Sequence, residues 1–186
     1  NAFALLFLAV SFVVRTLFFL WDISQVDHSF LGVIKVFLIG FFFDLGTISF
    51  FYMVGALYFL LVPGKFYGSM LARVISYFGL ALALLIVYFS FFAEITFWDE
   101  FQRRFNFIAV DYLIYTYEVV KNINESYPLP LLIGGMVLLV VLTIWIFKRK
   151  GVFKSAFGSA TTFRQKLVPT SIGLAIMVFF SAVIEN

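Results

Sequence analysis

The sequence predicts an all-α integral membrane protein with five transmembrane helices, plus an outer-leaflet amphipathic helix between the third and the fourth. Two observations carry most of that prediction. Apolar residues make up 63% of the 186-residue chain and charged residues only 12%, with a mean hydropathy of +1.07, far from the balance of water-soluble domains. The apolar runs are also long and continuous, without the period-two alternation that a membrane β-strand shows over about ten residues. A helix is the remaining structure that satisfies its own backbone hydrogen bonds in hydrocarbon. With no cysteine and one histidine, the chain has no disulfides, thiolate metal sites or cysteine nucleophiles, and little scope for imidazole chemistry.

The first run, Ala2 to Trp21, has the roughly 20 residues a crossing requires. Arg15 lies inside it, and Trp21 is placed for the interfacial aromatic belt. The connector WDISQVDHSF follows, and its His28 has no partner at metal-ligand spacing. Phe30 to Val62 is too long for one upright crossing: at roughly 1.5 Å per residue it would reach about 50 Å, against a hydrocarbon core of about 30 Å. Lys35 and Asp44 divide it. We therefore expect an interfacial or re-entrant part over 30–45 and a crossing over about 46–62, ended by Pro63 and Gly64. Further crossings are expected at about 71–92, 129–147 and 167–184.

Orientation follows from the connectors. Lys148, Arg149, Lys150, Lys154, Arg164 and Lys166 lie between the last two crossings with no acid among them, which predicts a cytoplasmic connector. Lys65 and Arg73, two crossings earlier, fall on the same side. Residues 97–128 and the C-terminus then face outward. Ending at Asn186 directly after an apolar run, the chain is expected to be one membrane domain, residues 1–186, of a longer protein.

In the outward segment, Trp98, Phe101, Phe105, Ile108, Tyr112, Tyr115 and Val119 recur at alternating steps of three and four, which places them on one helical stripe. Polar residues fill the other positions, so the segment is expected to lie along the outer leaflet. Arg103 and Arg104 are suited to a lipid phosphate, and Asn106, Tyr112, Tyr115 and Tyr127 to hydrogen bonds with a head group or a docked domain. A plainer reading pairs Asp99 with Arg103, Glu100 with Arg104 and Glu118 with Lys121 on a solvated helix face. Asp111 and Glu118, two turns apart, lack a third ligand in sequence, and no metal site is expected in the chain.

Arg15 and Asp44 are ionisable groups inside apolar runs, where each costs about 2.5–3.5 kcal/mol near the bilayer centre on insertion scales. They are expected to pair across the first two helices. A polar groove for a lipid head group, or a proton path, is the functional alternative.

The stretch RRFNFIAVDYLIYTYEVVKNINESYP, Arg103–Pro128, resembles the outer-leaflet segment of lipoteichoic acid synthase-type membrane proteins, the group that includes the phosphoglycerol transferases. Its FNFIAVDYL core, Phe105–Leu113, carries most of the likeness, and FFFDL at Phe41–Leu45 is a second, weaker match. The resemblance implies a bacterial cytoplasmic-membrane anchor bearing an extracytoplasmic catalytic domain of the alkaline phosphatase/sulfatase superfamily. In that family a threonine activated by a divalent metal (Mn, Mg or Zn) takes phosphoglycerol from a phosphatidylglycerol-like lipid and passes it to an envelope acceptor. Those residues would lie beyond Asn186, so no catalytic residue is assigned within the chain, and the chain alone is expected to be inactive. The implied partners are membrane lipids and the chain's own catalytic domain, with no nucleic acid. A non-enzymatic lipid-binding scaffold would share such an anchor. A small transporter is a third reading, encouraged only by Arg15 and Asp44 and lacking an inverted repeat.

Overall fold

The computed structural model describes residues 2–24, 29–63, 66, 68–104, 117, 121, 124–125, 127–157 and 163–184. Among these the chain is helical: α1 (Ala2–Trp21), α2 (Phe30–Leu61), α3 (Met70–Phe101), α4 (Leu129–Arg149), the short α5 (Val152–Phe157) and α6 (Phe163–Ile184). Five of them, all but α5, are long and apolar enough to cross a membrane.

Two expected boundaries are corrected. Phe30–Leu61 is one uninterrupted helix, so the division expected near residue 45 is absent. Lys35 and Asp44 are both tolerated within the helix because neither removes a backbone donor, and Ser29 caps it by accepting a bond from the Gly32 amide at 3.1 Å. The third apolar helix also continues past residue 92 to Phe101. Phe97–Phe101 are its last turn rather than the start of a separate helix, and Gln102 ends it in the left-handed region with φ of 52°.

The chain divides into two compact units, one formed by Asn1–Tyr77 with Gly151–Asn186 and the other by Phe78–Lys150. In the first, α2 is the shared element. α1 runs antiparallel to it, with Phe12 and Phe19 against Phe37, and Phe3 and Phe7 against Phe51. α6 runs antiparallel to α2 further along, from Phe180 against Phe42 to Lys166 at the end of the helix.

Glycines seat the α2–α6 contact. A Cβ on Gly46 would meet the Phe180 ring at 2.9 Å, and one on Gly173 would meet the Tyr52 ring at 2.6 Å. Pro169 interrupts the backbone bonding of α6. In the same turn the Thr170 hydroxyl donates to the Lys166 carbonyl at 2.8 Å, a side-chain bond of the kind that re-satisfies a Pro-broken helix. The Lys166 ammonium donates to the Phe59 and Val62 carbonyls at 2.8 and 3.0 Å, capping the negative end of α2.

In the second unit, Leu84, Val87 and Tyr88 of α3 and Met136, Val140 and Thr143 of α4 are buried. The Tyr88 and Thr143 hydroxyls share a 2.6 Å hydrogen bond between the two helices. Pro130 near the start of α4 uses positions where no amide donor is needed, while Lys148 and Arg149 complement its C-terminal dipole.

Replacing Gly173 with Val displaces the Tyr52 ring and is expected to cost about 1–3 kcal/mol in thermal unfolding in detergent. Adding Tyr52→Ala should recover part of that loss. Strictly additive effects of the two changes would contradict the packing described.

Candidate functional site

Two of the sequence-predicted constellations fall on described residues, one in each unit. In the first unit Arg15 and Asp44 pair, with Nη2 to Oδ2 at 2.7 Å. Their side chains are 7% and 13% exposed, so the pair is desolvated. The Ser11 hydroxyl donates to the other Asp44 oxygen at 2.7 Å, and Arg15 also reaches Ser11 at 3.5 Å. A Cβ built on Gly40 would fall on the Arg15 guanidinium, so the group lies directly across that glycine backbone. Phe3, Phe7, Ser11, Arg15 and Phe19 follow one another at steps of four and form the face of α1 turned to α2. Charge, hydroxyl and glycine thus converge between two phenylalanine clusters.

Sequence reasoning found the two ions and missed Ser11 and Gly40. The signal was present in the spacing: each lies four residues before its ion, Ser11 before Arg15 and Gly40 before Asp44, on the same helical face.

In the second unit the end of α3 carries the other constellation. The Arg104 guanidinium pairs with Glu94 at 2.6 Å, with side-chain exposures of 47% and 15%, an ion pair too exposed to stabilise the fold much. The Tyr127 hydroxyl donates to Asp99 at 2.8 Å. The expected i, i+4 pairs of Asp99 with Arg103 and of Glu100 with Arg104 are replaced by these contacts. They require a helix through residue 104, and the helix stops at Phe101. Arg103 is exposed and has no ion pair to a described carboxylate. Asn106, Tyr112 and Tyr115 lie outside the described residues, as do Asp111, Glu118 and His28. Among the described residues no three His, Asp or Glu side chains converge as a metal site.

Burial, the Asp99 hydrogen bond and the negative charges of Asp99 and Glu100 together push the Tyr127 phenol up to about 12. Because the folded value lies above the ordinary one of about 10, the associated stabilisation is complete below about pH 10 and is lost as pH rises through about 12.

No protein-family model, curated protein or solved structure matches the chain. What the fold and site define, among the described residues, is a helical protein with five helices of membrane-crossing length. A desolvated ion pair joins α1 to α2, and a polar ledge closes α3.

Asp44→Asn leaves Arg15 buried without a counter-charge and is expected to cost on the order of 3–5 kcal/mol, whereas Arg15→Met with Asp44→Leu should return close to the parent stability. Gly40→Ala should destabilise in the same assay. A folded Asp44→Asn protein of unchanged stability that fails to bind lipid would instead indicate the polar groove. At the ledge, the difference in phenolate absorbance between the parent and Tyr127→Phe is expected to titrate near pH 12, and Asp99→Asn should bring that step down toward about 10.

Proposed function

We propose that the chain is the membrane anchor and lipid-facing platform of an extracytoplasmic phosphoglycerol- or phosphoethanolamine-type transferase, or of a sulfatase-like hydrolase, acting on lipid-linked envelope substrates in a bacterial cytoplasmic membrane. The observation that carries the reading is the Arg103–Pro128 stretch with its FNFIAVDYL core, set between apolar helices of crossing length. The charge of the connectors supports a C-terminus on the outer side, where a catalytic domain would follow.

Such an anchor has a physical purpose. A soluble-type active site working on a lipid head group gains from being held at the bilayer surface, because tethering replaces a dilute encounter with a high local concentration. In the catalytic domain a metal would lower the pKa of the threonine hydroxyl and stabilise charge on the phosphoryl oxygens. The anchor's residues would bind and orient the lipid. Arg103 is the stronger candidate for phosphate, since it is exposed and outside the helix, while Arg104 is engaged by Glu94.

The test uses the protein with whatever coding sequence follows Asn186. A threonine set among Asp, Glu and His ligands is expected there, and its absence would favour the lipid-binding scaffold. In that protein Arg103→Ala is expected to lower turnover on a lipid substrate about tenfold while sparing a soluble phosphodiester, with a smaller effect for Arg104→Ala. Equal losses on both substrates would argue against direct lipid contact.

A further inference from the structure

At the opposite end of the first unit, the structure gathers chain segments that lie far apart in sequence. Lys166 holds the start of α6 on the end of α2. The Tyr58 hydroxyl donates to the Ala72 carbonyl at 3.1 Å and accepts from Ser76 at 3.3 Å, docking the last turns of α2 on the first turns of α3. Phe153 of α5 stacks on Tyr77 of α3, with ring centroids 4.2 Å apart, and a Cβ on Gly68 would meet the Phe157 carbonyl at 3.8 Å. α5 is therefore seated by Phe153 on one side of Lys154 and approached at Phe157 on the other, leaving Lys154 exposed.

This end presents Arg73, Lys154 and Arg164 as exposed cations, and the sequence has no acid over 45–77 or 151–184 to neutralise them. Met70, Leu71, Phe163 and Leu167 lie beside them in the chain and are exposed by 83%, 65%, 62% and 44%. An acidic soluble partner would complement the charges but not these apolar neighbours. A phospholipid complements both, with phosphate toward the cations and acyl chains against the apolar side chains. Lys166 is held on helix carbonyls and belongs to the fold, not to this surface.

The geometry points to a docking surface for anionic phospholipid head groups formed by Arg73, Lys154 and Arg164, at the end remote from the Arg15–Asp44 pair along α2. It is independent of the proposed catalytic role, since it involves neither the outward segment nor anything beyond residue 184.

The full chain, purified in neutral detergent, is titrated with phosphatidylglycerol and separately with phosphatidylcholine, and bound lipid is counted by native mass spectrometry. Phosphatidylglycerol should bind more tightly, and the preference should weaken as salt rises. Changing Arg73, Lys154 and Arg164 together to Gln is expected to reduce phosphatidylglycerol binding on the order of tenfold to a hundredfold, with phosphatidylcholine unchanged. The charge-retaining Arg73→Lys, Lys154→Arg, Arg164→Lys protein should bind as the parent does, which separates loss of charge from loss of fold. Equal binding of the two lipids by the parent, or undiminished phosphatidylglycerol binding by the Gln protein, overturns the proposal. So does displacement of the lipid by poly-glutamate at matched charge, which would assign the surface to an acidic protein.

Discussion

A charge buried among apolar helices has to be paired, and that constraint organises the first unit. Arg15 and Asp44 each need the other, and their pairing fixes the rotation and the register of α1 against α2 at once. The guanidinium has bulk as well as charge, and room for it exists only because residue 40 has no side chain. Ser11 then occupies the second carboxylate oxygen. Phenylalanine pairs above and below this cluster tolerate sliding, whereas the ion pair with its glycine seat does not.

The same helix is held from two sides at different heights. α1 meets α2 from Phe37 to Phe51, and α6 meets it from Phe42 to Val62. At about 1.5 Å per residue α2 is about 48 Å long, more than a bilayer core of about 30 Å accommodates upright. In a membrane the excess is taken up by tilt and by ends that reach the head-group region. Staggered neighbours suit that arrangement, because helices flanking a tilted one meet the bilayer at different points along its length.

Much of this was legible in the sequence, because helices of crossing length are read from uninterrupted apolar runs. Helix α1 begins at Ala2 and ends at Trp21, the limits of the first apolar run, and α4 begins at Leu129, where the fourth run starts. Over 30–45 the sequence misleads because hydropathy and length argue for a break, while helix continuity depends only on backbone donors and caps, which Lys35 and Asp44 leave intact. Phe97–Phe101, read in the sequence as the start of a separate segment, are the end of a longer helix. Periodicity cannot report where a left-handed residue such as Gln102 stops a helix. The pairing of Arg15 with Asp44 followed from cost alone, whereas the partners of Arg104 and Tyr127 depended on how the chain turns after Phe101.

The Lys166 cap has a consequence for the order of events during synthesis. The carbonyls at the end of α2 wait for an ammonium 104 residues further on, and the first unit is interrupted in the chain by the whole of the second. At roughly 5–20 residues per second, that interval lasts on the order of 5–20 s. The helix pair of the second unit is complete in sequence before α6 has been made, so the first unit closes after the second even though α1 and α2 precede it in the chain.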